Sequence, residues 1–154
     1  MLINHDFVLA RWDGTLPVDS FKISKELSII ITPDMFLNDK NLSMIVTKNN
    51  NTILINPTET QQRQRFLVAY ALGYLLNYDN KLRVHKENIM IYKNPKKSHE
   101  IMTNELIDFS LNFLVPTKIL ITLLKNEPSV CLSELANKFD VSQKIIEYRL
   151  KKLS

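Results

Sequence analysis

A single cysteine, Cys131, leaves this 154-residue chain without an internal disulfide framework and without a multi-cysteine zinc site. No apolar run approaches the roughly 18 residues that a membrane span requires. The densest, residues 119–124, is interrupted by Thr122. The N-terminus carries His5 and Asp6 instead of a basic patch ahead of an apolar stretch, so no signal peptide is visible. Repeats are missing, and low complexity is confined to Asn49-Asn50-Asn51. A strong charge of one sign is missing too. Twenty basic against 16 acidic residues give +4, which permits nucleic-acid or acidic partners without requiring them. What the chain does have is 45% apolar residues, enough at this length to bury one core, and that excludes disorder as its main state. The expectation is a soluble, cytoplasmic protein with no membrane partner.

The elements follow from local patterns. A short helix is expected over residues 7–12 and another over 18–27, followed by a strand over 28–32 that Pro33-Asp34 ends. Two strand-like runs, 42–48 and 52–56, flank the asparagine cluster. Asparagine tolerates left-handed backbone angles, so these runs form a hairpin with a tight polar turn. Thr58 and Gln61 have the spacing of a capping box ahead of a helix reaching residue 77. Residues 66–76 are apolar apart from two tyrosine hydroxyls, and a helix apolar all round must be buried on all sides. Residues 88–92 suggest a further strand. Ser98 is placed to cap a second long helix that ends at Val115-Pro116, with Ile101, Leu106, Ile107, Phe109 and Phe113 as its core stripe. Three short helices then follow over 118–125, 132–139 and 143–153. Asp140-Val141-Ser142 between the last two gives a helix-turn-helix pattern, with Ser142 as a cap. The organisation is α+β: a body over residues 1–115 with a small sheet and two long core helices, and a helical tail over 116–154 packed on it.

Leu16-Pro17-Val18-Asp19, Ile53-Leu54-Ile55-Asn56-Pro57, Arg63-Gln64-Arg65-Phe66 and Ala69-Tyr70-Ala71-Leu72-Gly73-Tyr74 occur in an order and spacing that resemble the ImmA/IrrE family of zinc metallopeptidases. The resemblance continues through Glu105, Phe109 and Leu114-Val115-Pro116 into Leu135-Ala136, Phe139, Val141-Ser142 and Arg149-Leu150. It implies a zincin-like fold. It also implies an H-E-x-x-H site, in which two imidazoles one helical turn apart hold zinc and the adjacent glutamate takes a proton from the metal-bound water. A glutamate of the following helix would be the third ligand.

This chain departs from the pattern where the chemistry happens. Tyr70 and Tyr74 occupy the imidazole positions, Ala71 the base position, and only Glu105 matches. A phenol is ordinarily neutral at pH 7, with a pKa near about 10, and alanine accepts no proton. Loss of a general base alone costs about 10²–10⁴ in rate, and loss of two metal ligands removes the water activation as well. His99-Glu100 is followed by Thr103 rather than a second histidine, and His5 and His85 are isolated, so no rebuilt metal site is expected. Tyr70 and Tyr74 read either as core aromatics or as hydroxyls bonded to a buried Glu105. Cys131, lacking a basic neighbour, reads as a small buried residue.

The resemblance implies mobile-element or prophage neighbours of the helix-turn-helix repressor type, which intact family members cleave. A degenerate pseudo-peptidase without cofactor would bind such a repressor instead, as an antirepressor or sequestering partner. Its expected surface is the groove beside the central helix and the edge of the hairpin. The alternatives are DNA binding through Lys144, Arg149, Lys151 and Lys152 of the last helix, and a surviving zinc-dependent endopeptidase activity.

Overall fold

In a computed structural model that describes residues 8–77, 88–94 and 104–154, seven helices and four strands are formed. They run α1 (Ser20–Glu26), β1 (Ile30–Pro33), α2 (Phe36–Asp39), β2 (Leu42–Thr47), β3 (Thr52–Ile55), α3 (Gln61–Asn77), β4 (Asn88–Tyr92), α4 (Asn104–Leu114), α5 (Thr117–Asn126), α6 (Leu132–Phe139) and α7 (Gln143–Leu153). The expected helix at 7–12 reduces to one turn, in which Arg11 and Trp12 donate to the carbonyls of Val8 and Leu9. Residues 98–103, with the expected Ser98 cap, lie outside the described residues, as do His5, His85 and His99.

Local chemistry sets the boundaries. The Asp19 side chain accepts the Lys22 N–H at 3.0 Å and starts α1. Ser28 then turns the chain into β1 with φ of 59°. The hairpin turn closes with Asn51 N–H donating to Lys48 C=O at 3.2 Å, Asn51 itself being left-handed at φ 47°. The cap of α3 is Thr60, not Thr58: Thr60 Oγ1 accepts the Arg63 N–H at 3.2 Å. Buried Asn56 competes for Thr58, taking its N–H at 2.9 Å in an Asx turn while donating to Leu42 C=O at 2.9 Å.

The strand order is β1-β3-β2-β4, with β1 parallel to β3 and the other pairs antiparallel. Both hairpin strands are therefore interior. The expectation of a free hairpin edge fails, because β1 and β4 flank the hairpin on either side; local pattern identified the strands but not their non-local neighbours. Met44, Val46, Ile53, Ile55, Ile89 and Ile91 are buried on one face and join the core built around α3. Leu67, Val68, Ala69, Ala71 and Leu72 are all fully buried, as an all-apolar helix requires.

The tail closes the same core. Leu120, Leu135, Phe139, Val141 and Ile146 share one buried cluster with Phe109, Phe113 and Leu114 of α4. Asp140 ends α6 in the left-handed region at φ 50°, and Ser142 occupies the N-cap of α7 without a side-chain cap bond. Cys131 is exposed, contrary to expectation. It holds the N-cap position of α6, one residue before the first apolar side chain, where its N–H donates to Glu134 at 3.0 Å. Among the described residues no single helix is long and apolar enough to cross a membrane.

Candidate functional site

Tyr70, Ala71 and Tyr74, the residues expected at the family's site positions, sit on the buried helix α3. Tyr70 and Tyr74, one turn apart on α3, are 3% and 9% exposed, and Ala71 between them is fully buried. Gly73 explains how α3 and α4 come so close: a Cβ there would meet Phe109 Cδ1 at 2.7 Å and Leu106 Cδ2 at 3.1 Å. Only a residue without a side chain leaves room for that aromatic edge.

Glu105 lies in the first turn of α4 and is exposed. The idea of a buried carboxylate needing phenolic partners is thereby corrected. An exposed carboxylate near a helix N-terminus is hydrated and favoured by the helix dipole, so burial imposes no demand for a link to the tyrosines. Among the described residues no three His, Cys, Asp or Glu side chains come together in a way that could hold a metal ion. The residues at the expected zinc position offer two phenols and an exposed carboxylate, with a methyl group in place of the general base, a set that does not fit that ion.

Two arginines, one of them assigned no role from the sequence, organise the molecule around this helix. Arg65, 5% exposed, donates to the carbonyls of Val18 at 2.8 Å, Phe139 at 3.2 Å and Asp140, and pairs with the Asp140 carboxylate at 3.4 Å. It ties the start of α3 to both the N-terminal loop and the end of α6. Burial pushes the guanidinium pKa down and Asp140 opposes this; the group stays charged. A sequence signal did exist: Arg65 stands one residue before an all-apolar run, where a cation is retained only with buried acceptors.

In the DNA-binding alternative Arg149 is one of four cations that would touch phosphates. It is 7% exposed and donates to Val115 C=O at 3.2 Å, to Asn112 Oδ1 at 3.0 Å and to Thr117 Oγ1. Its apolar neighbours on α7 face the body, and the guanidinium satisfies polar groups at the α4–α5 junction, so it offers nothing to a phosphate. Lys144, Lys151 and Lys152 are exposed, and Lys152 lies 3.8 Å from Asp108.

The sheet edges differ in what they offer. Ile30 and Asp34 donate to β3, at 2.9 Å each, so the outward positions of β1 are Ile31 and Pro33. Proline has no N–H, which blunts this edge. On the other side, Asn56 N–H donates to Ser43 C=O at 2.9 Å and sets the alternation along β2: residues 43, 45 and 47 bond β3, and 44 and 46 bond β4. Met44 and Val46 pair with Ile91 and Ile89, so Met90 and Tyr92 turn their N–H and C=O groups outward. Among the described residues no strand pairs with that edge.

Comparison with known families gives one match, to a peptidase family described as the IrrE N-terminal-like domain, over residues 25–151. No curated protein matches the chain.

Proposed function

The chain belongs to the IrrE N-terminal-like peptidase family, and we propose that it acts by binding a regulatory protein of the helix-turn-helix repressor type without hydrolysing it. The observation that carries this reading is the substitution of the chemistry itself. Tyr70, Ala71 and Tyr74 stand in the core of α3, where a peptidase of this family would need two imidazoles and a general base. The scaffold around them is intact, from the Gly73 contact to the Arg65 and Arg149 clamps. A fold kept without its catalytic groups retains the means to recognise a polypeptide.

The outward edge of β4 supports the binding half of the proposal. Its outward backbone groups at Met90 and Tyr92, which no strand among the described residues pairs with, suit an extended segment added as a further strand, and Met90 is itself exposed at 41%. In this reading the protein is an antirepressor or sequestering partner carried by a mobile element or prophage. The burial of Arg149 removes one of the four cations on which the DNA-binding alternative depended.

The test is co-expression with a helix-turn-helix regulator encoded beside it, followed by affinity capture and intact mass measurement. The expected result is a stoichiometric complex in which the regulator keeps its full mass. Regulator fragments, or no regulator retained, would overturn the proposal.

A further inference from the structure

A cavity of about 400 Å3 opens where the N-terminal turn meets the α4–α5 junction, away from the tyrosine positions. Leu9, Trp12, Pro116 and Ile119 give it apolar walls, and no carboxylate of the described residues lines it. Its size is in the range of small-molecule sites, roughly 300–1,000 Å3. The Trp12 Nε1–H donates to Thr15 C=O at 2.7 Å, so the polar edge of the indole is engaged and the ring is held in place.

The acceptor oxygens of the Asn112 and Thr117 side chains at this cavity are already engaged. Asn112 Oδ1 accepts from Arg149 Nη2 at 3.0 Å and from the Thr117 hydroxyl at 3.1 Å. A guanidinium only donates, so it fixes which end of the Asn112 amide is the oxygen and leaves Nδ2, a donor, as the group for a ligand. Lys118 supplies an exposed ammonium at the same cavity, and the ion pairs of the described residues join other side chains. A pocket with apolar walls, an amide donor, a cation and, among the described residues, no acid selects for an anion that only accepts hydrogen bonds.

We propose that this cavity binds a small carboxylate with an apolar or aromatic body, its carboxyl group at Lys118 and Asn112 Nδ2 and its body against Trp12 and Ile119. Bound there, the ligand links the N-terminal segment to the junction at which the tail begins. The proposal is independent of repressor binding.

Trp12 is the one tryptophan of the chain, so its fluorescence reports on the cavity directly. The test titrates the full chain with 4-phenylbutyrate and, separately, with 4-phenylbutan-1-ol, which has the same body and no charge. The expected result is a saturable change with the acid and about five- to tenfold weaker binding of the alcohol. Lys118→Gln, at an exposed position, should weaken the acid by a similar factor, leave the alcohol unchanged and unfold at the wild-type temperature. No saturable change up to about 10 mM, a range that still detects weak fragment-like binding, would overturn the proposal. So would equal binding of acid and alcohol, or an unaltered acid affinity in Lys118→Gln.

Discussion

Gly73→Ala adds one methyl group where α3 and α4 touch. The new Cβ would stand 2.7 Å from Phe109 Cδ1 and 3.1 Å from Leu106 Cδ2, inside the roughly 3.5–4.0 Å at which carbon atoms attract. Phe109 is 1% exposed, and its ring is stacked 6.2 Å from that of Phe113, so it has little room to turn aside. Overpacking of this kind costs about 1–3 kcal/mol. Alanine offsets about 1 kcal/mol of that through its better helix propensity. The expected balance is a loss of up to about 2 kcal/mol, or up to about 8 °C in Tm for a chain of this length. Thermal unfolding followed by far-ultraviolet circular dichroism reads it. Phe109→Leu in the same chain makes room for the methyl group, so the two substitutions should couple favourably by at least about 0.5 kcal/mol in a double-mutant cycle. A raised Tm for Gly73→Ala, or no coupling with Phe109→Leu, would refute the close contact, and with it the reason that this helix keeps glycine between its two tyrosines.

Further outcomes follow from other parts of the molecule. Arg149→Met leaves the Val115 carbonyl and the Asn112 amide without their cation and should cost about 2–3 kcal/mol in urea unfolding, whereas exposed Lys144→Ala should stay within about 0.5 kcal/mol; equal effects would contradict the burial of Arg149. Met90→Pro removes an N–H that faces away from β2, so it should leave the unfolding temperature nearly unchanged while weakening regulator capture about tenfold or more; full capture would show that the β4 edge is not the surface. Hydrogen bonds from Thr15, then from Lys22, hold the Asp13 carboxyl well below the usual carboxylate range. A depressed pKa contributes stability that is present above the unfolded value, about 4, and is lost as pH falls below it. The wild type should therefore lose more stability than Asp13→Asn between neutral and strongly acidic pH, and parallel profiles would reject this role.

The tail was the most legible part of the sequence. Residues 132–139 and 143–153 were expected as helices and form α6 and α7 within those limits, because apolar spacing, the left-handed Asp140 and the three-residue turn all act locally. The buried character of α3 was legible for the same reason. Strand order was not: whether the hairpin lies at an edge depends on β1 and β4, which pair with it through contacts distant in sequence. The buried role of Arg149 was not legible, because its charge counts towards a basic face in the DNA-binding alternative, while its acceptors, Val115, Asn112 and Thr117, come from another part of the chain. Glu105 was misread because its match to a family position carried an assumption of burial that the first turn of α4 does not meet. The chemistry that Tyr70, Ala71 and Tyr74 can offer is read from residue identity alone, which decides whether a side chain can ligate a cation or accept a proton.

The central claim is that Tyr70, Ala71 and Tyr74 have replaced a zinc site. Elemental mass spectrometry of the protein, purified without chelators and dialysed against buffer containing zinc followed by metal-free buffer, tests it most directly. The account predicts zinc far below one ion per chain. Close to one zinc per chain, retained through dialysis and lost in Tyr70→Phe/Tyr74→Phe, would contradict it.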